Sequence, residues 1–519
     1  MTNRTIRAAA LAALLGSVAP AALAQAVSTA PTQGGGISQE QALSLTARLD
    51  ALERRNQELE AQIAGLKADV GSTAKAVKDQ SVNAKTTLAN GRPTVTSADG
   101  QFTATLRGVF QLDGARYDQD EAAPLASDHR RGSFGDAVEA DRARDLSDGF
   151  NFRRARLGIE GKAFGDWNYN LLLDFGGSGT EEAGKINAAY IEYTGLKKVR
   201  LRGGAFATTT SLEDATPHPS SLFLERPAVA ELVRGLAGGD GRVGLAAITG
   251  GERWSAHATV TGNVVGTQTY DEALGFVGRV TFSPLHGEDW TTHLGANANI
   301  IINPAANGPD VPGLGAPQPV RLRERPENRV DPTRLVDTGS IDADGVTALA
   351  LEGAWQYRNF MLAGEHFWID VERRASPLAD PDFSGWYVQG AWTLTGQPRR
   401  YNPGTGGFDA PKVDKPFNLK SGAWGVWELA ARYSTLDLNY GLSGPVASAI
   451  RGGEQEIVTL GLNWYPNQVV KFMADFQHVE VDRLSPGGTA FGAGALTPPA
   501  GAQVGQDLNI WSIRTQYSF

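Results

Sequence analysis

Alternation of apolar and polar residues with a period of two is the feature that most constrains this chain. It first appears at 101–113 and recurs at 155–161, 167–175, 199–203, 254–260, 276–282, 294–300, 427–433 and 458–464. Successive side chains of a strand point to opposite faces of a sheet, so each segment predicts a strand with one apolar face. The first segment is long enough for a tilted membrane strand of about 9 to 11 residues.

The connections between these segments alternate between short and long. Short links lie at 165–166, 195–197, 250–252, 284–289, 357–359 and 466–467, and long ones at 118–149, 207–240, 304–344 and 484–506. Outer-membrane barrels place short turns at one end and long loops at the other, whereas a soluble sandwich has no reason to alternate. We therefore predict an all-β fold over 101–519, a transmembrane antiparallel β-barrel of about 16 strands. The link at 396–421 is long where a short turn is expected.

The two ends of the chain indicate export to a membrane. Arg4 and Arg7 precede an Ala/Leu-rich stretch that closes with small residues before Gln25, which is the order of a secretory signal peptide at 1–24. A chain exported without any cysteine must fold without disulfide bonds. The alternating pattern continues from Trp511 to the final Phe519, so the chain ends in a strand.

A heptad pattern precedes the predicted barrel, between Ser44 and Gly71. Its seam positions are Leu45, Leu49, Leu52, Asn56, Leu59, Ile63, Leu66 and Val70. This spacing predicts a short coiled coil in which Asn56 fixes the register, and we interpret the segment at 25–74 as a periplasmic oligomerisation device. Leu at one seam position with Ile or Val at the other favours a dimer. The alternative is a single amphipathic helix lying on the barrel. A polar linker is predicted at 75–100.

If the apolar residues face lipid, their neighbours face water, and several of those neighbours are basic. This set consists of Arg107, Arg154, Arg156, Lys162, Lys198, Arg200, Arg202 and Arg279. A narrow channel focuses the field of such side chains, so they can favour anions although the chain has a formal net charge of −9. The alternative is that these cations pair with lumen carboxylates such as Glu160 and only stiffen the wall.

The long link after the fifth strand, 207–240, is the candidate constriction loop. It contains Glu213, Asp214, Glu225, Arg226 and Arg234. Guanidinium groups bind phosphate and carboxylate through paired donors, so Arg226 is the preferred pore cation. The alternative is a bridge from Arg226 to Glu225 or Glu213 that holds the loop in place.

Most of 101–519 resembles the phosphate-selective porin O and P family. The resemblance rests on FRRARLG at 152–158, FLER at 223–226, LTGQPRRY at 394–401, WELAARYS at 427–434 with LDL at 436–438, and LGLNWYPN at 460–467. It implies a trimer of outer-membrane barrels surrounded by lipid and lipopolysaccharide, with an inward-folded third loop and an arginine-lined path for small anions such as phosphate. Arg153, Arg154 and Arg226 match positions on that path.

One departure from the family bears on the solute. In the phosphate binders that this chain resembles, a lysine follows the Leu-Glu pair of the third loop, and here Asp214 takes that place. A carboxylate repels phosphate unless an arginine intervenes.

Other functions find less support in the residues. The histidines, His129, His218, His257, His286, His293, His366 and His478, show no metal-ligand spacing, and no nucleophile is paired with a base, so we expect no enzyme, metal or cofactor. The sequence GGDGRVG at 238–244 lacks the Lys-Ser/Thr of a phosphate loop and is interpreted as a hairpin link. A structural role, with the coil contacting peptidoglycan, is an alternative compatible with a pore. We expect no nucleic-acid partner.

Overall fold

The computed structural model describes residues 39–519 except 83, 90, 133–142, 178–183, 288, 445–447 and 489–496. The chain divides into two compact units between Val82 and Asn83. The predicted signal peptide at 1–24 and the start of the predicted segment at 25–74 lie outside the described residues.

The first unit contains one long helix, α1 (Gln39–Val82). The predicted coil lies within it, but the helix continues past Gly71 because the following stretch holds no proline and an interior glycine costs a helix only about 1 kcal/mol. The predicted linker at 75–100 is therefore wrong in part, since the helix and two strands occupy much of it. Among the helices of the described residues, none is long and apolar enough to cross a membrane.

The seam of α1 is exposed in the single chain. Leu52 is 65% exposed and Ile63 50% exposed, and Leu49, Asn56, Leu59 and Leu66 are exposed as well. The side chain of Leu45 is outside the described set. An apolar stripe of this kind is what a partner helix covers in a coiled coil, which stays a prediction here.

The second unit is built mainly from strands. The first eleven are β1 (Lys85–Ala89), β2 (Arg92–Thr96), β3 (Thr103–Asp118), β4 (Gly149–Ala163), β5 (Trp167–Asp174), β6 (Lys185–Tyr193), β7 (Val199–Phe206), β8 (Arg242–Gly250), β9 (Trp254–Val264), β10 (Leu274–Phe282) and β11 (Trp290–Asn303). The others are β12 (Pro319–Glu324), β13 (Val336–Tyr357), β14 (Phe360–Arg373), β15 (Asp382–Thr393), β16 (Arg400–Asn402), β17 (Gly407–Asp409), β18 (Val426–Tyr440), β19 (Ile450–Tyr465), β20 (Val470–Asp482) and β21 (Leu508–Ser518). Between β7 and β8 lie the helices α2 (Leu212–Ala215) and α3 (Ala228–Ala237) and a 3-10 turn at His218–Ser220.

Sixteen of the described strands, β3 to β11, β13 to β15 and β18 to β21, form one closed antiparallel barrel. The sheet closes where β21 pairs with β3, with Trp511 opposite Arg116 and Tyr517 opposite Phe110. Closure removes the unpaired edges that lipid cannot satisfy. The predicted antiparallel barrel of about 16 strands is confirmed.

The irregular link at 396–421 does not interrupt the barrel. β15 pairs directly with β18, and the segment between them carries the small hairpin of β16 and β17. Phe408 and Arg399 of this segment are 2% and 3% exposed, because it folds inward instead of forming a short turn.

The outward face of the barrel carries the apolar side chains of the alternating pattern. Leu157, Leu294 and Leu460 are exposed, whereas the polar residues Gln111 and Thr459 on the opposite face are fully buried. This arrangement is the one expected when lipid covers the outside and polar groups fill the lumen.

A charge on the outward face should destabilise the barrel. Leu460 is 53% exposed and lies between Ala431 and Phe476 of the neighbouring strands. We expect Leu460→Arg to lower the free energy of unfolding in lipid vesicles by about 2–4 kcal/mol, measured by urea titration. The control Leu442→Arg lies in an exposed connection and should change it by no more than about 0.5 kcal/mol. Equal effects at both sites would contradict the assigned lipid face.

Candidate functional site: the charged constriction

The link between β7 and β8, here called the third loop (207–241), folds into the barrel. Helix α2 is capped by the hydroxyl of Ser211, which accepts a hydrogen bond from the backbone nitrogen of Asp214 at 3.1 Å. Pro227 precedes α3 with a φ of −53° and so helps to set the entry of the chain into that helix. Phe223 and Val229 are at most 1% exposed. The structure thus has the inward-folded third loop that the family resemblance implies.

Polar side chains of the barrel wall hold the backbone of the third loop. Asp475 on β20 accepts a hydrogen bond from the backbone nitrogen of Leu224 at 2.8 Å, and Arg514 on β21 donates to the carbonyl of Leu224 at 2.6 Å. Lys471 on β20 donates to the carbonyl of Ser221 at 2.6 Å. Backbone groups buried inside a barrel need such partners because little water reaches them.

The apolar face of α3 packs against the inner wall towards the long-loop end of the strands. Val229 and Val233 belong to one buried cluster with Phe367, Ile369 and Leu436. The inward residues of these strands are apolar and not polar, because the helix covers them instead of water. This packing blocks one side of the lumen.

The fifth loop, between β11 and β13 (304–335), also enters the lumen. Glu327 of this loop accepts hydrogen bonds from the backbone nitrogen of Ala228 at 2.8 Å and from the hydroxyl of Ser434 at 2.6 Å, and it pairs with Arg432. The fifth loop therefore fixes the start of α3 to the wall.

The inward segment between β15 and β18 approaches the third loop from the short-turn end. Arg399 donates hydrogen bonds to Glu428 at 3.0 Å and to the carbonyl of Ser220. Arg279, which the alternating pattern placed in the lumen, pairs with Glu352 at 2.8 Å and donates to the carbonyl of Gly406 at 2.9 Å. Arg279 thus holds this segment in place and does not join the other predicted arginines.

Glu225 is the centre of the constriction. Its carboxylate oxygens lie 2.7 Å from Nε of Arg153, 3.1 Å from Nη2 of Arg514, 3.4 Å from Nε of Arg329 and 4.0 Å from Nη2 of Arg154. Segments distant in sequence therefore bring four guanidinium groups to one carboxylate.

A β-bulge explains how adjacent arginines of β4 reach the same carboxylate. Gln111 of β3 pairs with Arg154 and the next residue, Leu112, pairs with Phe152, so Arg153 is left unpaired. Strict alternation would place Arg153 on the face opposite Arg154. The bulge turns Arg153 into the lumen as well.

Arg226, the preferred pore cation, is bound by carboxylates of its own loop. It lies 3.2 Å from Asp214 and 3.1 Å from Glu231, and Arg234 lies 2.5 Å from Asp214. Arg226 is thus held within its loop as the alternative expected, but by these two carboxylates and not by the predicted partners Glu225 and Glu213. Asp214, which replaces the expected lysine, therefore pairs with two arginines.

Glu213 has a different role from its neighbour in the sequence. It is 4% exposed, its carboxylate accepts a hydrogen bond from Gln389 at 2.9 Å, and its backbone nitrogen donates to Glu365 at 3.2 Å. Glu213 fastens α2 to the wall and contacts none of the predicted arginines in the described residues.

The guanidinium groups keep the loop carboxylates ionised. Burial disfavours the charge of Glu231, but Arg329, Arg234 and Arg226 outweigh it and lower the pKa of Glu231 to about 2. The same opposition between burial and neighbouring arginines holds the pKa of Glu225 and of Asp240 well below its usual range.

Arg156 lies nearer the short-turn end of β4 than Arg153 and Arg154 do, and it links the barrel wall to the end of the third loop. It pairs with Asp174 of β5 at 2.6 Å and with Asp240 at 2.7 Å. Arg234 also pairs with Asp240. A cavity of about 660 Å³ opens beside these ion pairs, between the third loop and strands β4 to β6.

Three predicted cations lie nearer the short-turn end of the barrel than the constriction does. Arg107 pairs with Glu160 at 2.8 Å, and Arg200 and Arg202 pair with Glu192 at 3.4 and 2.8 Å. These pairs match the interpretation that lumen cations are balanced by carboxylates.

Two predicted pore cations are not at the constriction. Lys198 lies in the exposed turn between β6 and β7 and not on the inward face of the fifth strand, because β7 begins only at Val199. Lys162 is exposed near the end of β4, next to the short turn.

Several members of the site were missed from the sequence. Arg514 occupies an inward position of the terminal strand, so the alternation that identified Arg154 could have found it. Arg329 lies in the fifth loop and Glu231 on α3, both outside the alternating strands, and only the folded chain brings them to 2.9 Å. No cluster of His, Asp and Glu suited to a metal ion occurs in the described part of the chain.

A closed sixteen-stranded barrel with an apolar outside, an inward-folded loop and a charged constriction defines an outer-membrane porin. The model of the phosphate-selective porin O and P family matches residues 130–519, which is most of the chain. The chain therefore belongs to this family, whose members are channels. It is also 26% identical over 401 residues to Porin O of Pseudomonas aeruginosa, covering 75% of this chain and 86% of that protein.

Solved structures of other outer-membrane proteins match this chain at lower sequence identity than Porin O does. OmpT of Vibrio cholerae has a TM-score of 0.45 at 11% identity, covering 81% of this chain and 98% of its own. The anion-selective porin from Comamonas acidovorans has a TM-score of 0.45 at 12% identity, covering 80% of this chain and 100% of its own.

The depressed pKa values predict a pore whose selectivity resists mild acid. A carboxylate with a lowered pKa keeps its charge until the pH approaches that pKa, which is about 2 for Glu231. Protonation below that pH would leave excess positive charge at the constriction. We expect the ratio of chloride to potassium permeability to stay constant from about pH 7 to about pH 4, across the ordinary glutamate pKa of about 4.3. Reversal potentials in planar bilayers measure this ratio. A rise in anion preference centred near the ordinary value would contradict the assigned ion pairs.

Proposed function

We propose that this porin is a passive outer-membrane channel with a modest preference for small anions over cations. The supporting observation is the balance of charges in the ion-pair network of the constriction, where guanidiniums exceed carboxylates by one among the residues that the structure describes. The cations are Arg153, Arg154, Arg156, Arg226, Arg234, Arg325, Arg329 and Arg514, and the carboxylates are Asp113, Asp174, Asp214, Glu225, Glu231, Asp240 and Glu324. A narrow site of this kind favours anions weakly, because most of its positive charge is compensated.

The same balance argues for weak binding of phosphate. Arg153 uses its forked donors on Glu225 at 2.7 and 3.1 Å, and Arg514 does so on Asp113 at 2.6 Å. A phosphate would have to displace these carboxylates to gain paired hydrogen bonds. We therefore expect phosphate to pass as one of several small anions, with a dissociation constant of about 1 mM or weaker.

Arg153→Ala tests the anion path. Loss of this charge should lower the chloride to potassium permeability ratio about fivefold. Two unit charges about 4 Å apart in water interact with about 1 kcal/mol, which corresponds to this factor. Reversal potentials in a salt gradient measure the ratio, and phosphate titration of the chloride current measures block. The control Lys198→Ala removes a charge from an exposed turn and should leave the ratio unchanged. Cation preference in the parent protein would overturn the proposal.

We further propose that the protein is a trimer whose N-terminal segment lies in the periplasm. β3 begins at the same end of the barrel as the short turns, and that end faces the periplasm in outer-membrane barrels. The seam of α1 supports association with copies of the same helix. Arg48 and Glu53, and likewise Arg55 and Glu60, are spaced to pair between parallel, in-register helices.

Single cysteines in this chain, which has none of its own, test the coil. Leu52→Cys lies on the seam, so in parallel, in-register helices it should form a disulfide with its own counterpart in another copy under mild oxidation. Non-reducing gels of the full-length protein measure this. Ala61→Cys, on the face opposite the seam, is the control and should not cross-link. Equal cross-linking of both variants, or of neither, would contradict the coil.

A further inference from the structure

The cavity beside the third loop presents both signs of charge to a solute. Its volume of about 660 Å³ lies within the range of about 300–1,000 Å³ that is usual for small-ligand sites. The charged side chains that line it are Arg153, Arg156, Lys185, Arg329, Asp174, Glu231 and Asp240.

Two of the three carboxylates of this cavity are more accessible than its guanidiniums. The side chains of Asp240 and Glu231 are 30% and 18% exposed, whereas those of Arg329, Arg153 and Arg156 are 14%, 11% and 9% exposed. A solute entering the cavity therefore meets these two carboxylates at least as readily as it meets the arginines, and it also meets the exposed Lys185.

A bare oxyanion fits this lining poorly. Arg156 already bonds Asp174 at 2.6 Å and Asp240 at 2.7 Å, and Arg329 bonds Glu231 at 2.9 Å. An added phosphate would compete with these carboxylates and be repelled by them, whereas an ammonium group would be attracted to Asp240.

We propose that this cavity binds a small zwitterion, an amino acid or short peptide, on its way through the pore. Its ammonium group is held by Asp240 and Glu231, and its carboxylate by the guanidiniums of Arg153 and Arg329, which line the same cavity. Such a molecule carries both signs, so each group that it displaces from a resident ion pair is replaced by a group of the same charge. The inference deepens the proposed function, because it names a solute class for the same passive channel.

Proteoliposome swelling with three solutes of similar size tests the inference. The solutes are glycylglycine, which carries both charges, N-acetylglycine, which carries only the carboxylate, and glycinamide, which carries only the ammonium group. We expect glycylglycine to enter fastest by about two- to fivefold, the size of effect expected for partly exposed ion pairs.

Asp240→Asn should remove this advantage. The control is Asp310→Asn, which changes an exposed carboxylate of the fifth loop outside the cavity and should leave the order of rates intact. Glu231→Gln serves as a second variant should Asp240→Asn fail to assemble. Equal rates for the three solutes, or an advantage that survives both cavity variants, would overturn the inference.

Reversal potentials on the same preparation separate the two proposals. An anion-preferring channel without a glycylglycine advantage would reject the zwitterion site alone. A channel that prefers cations would reject the proposed anion preference, whatever the swelling rates show.

Discussion

Closure of the sheet between β21 and β3 is the constraint on which the rest of this structure depends. Lipid offers no hydrogen-bond partners, so each backbone group of the spanning strands must be paired within the barrel. Closure sends alternate side chains into an enclosed space, and that space has to be filled or hydrated. The third loop, the fifth loop and the segment between β15 and β18 fill much of it, and a cavity of about 660 Å³ remains beside β4 to β6.

Filling the lumen with loops explains the buried charges. The loop backbone needs donors and acceptors from the wall, which Asp475, Lys471 and Arg514 supply. Charged groups held away from water are tolerated only when they are paired, so each cation needs a nearby carboxylate. The arginines at the constriction therefore support the architecture as well as any preference among solutes, and their compensation by Glu225 and Glu231 limits how strongly they can attract anions.

Much of the candidate site could be predicted from the alternation of apolar and polar residues. Alternation does not predict residues at a bulge, at the start of a strand or outside the strands. Arg154 and Arg156 point inward as their position in β4 requires, whereas Arg153 does so only because of the bulge beside it. Lys198 was misplaced because the pattern does not mark where a strand begins. Arg329 and Glu231 escaped detection because they lie outside the alternating strands, Arg329 in a loop and Glu231 on α3. The length of α1 was underestimated because heptads mark a seam and not the end of a helix.

The sequence by itself determined the closed antiparallel barrel, its approximate strand number, its lipid-facing side and the link that becomes the third loop, because each depends on local periodicity or on the spacing of turns. Only the tertiary structure decided which carboxylate pairs with which arginine. Ion pairing depends on distances of a few ångströms between segments hundreds of residues apart, as with Arg514 and Asp113. The pairing in turn sets the charge that a solute meets, because a neutralised arginine attracts anions far less than a free one.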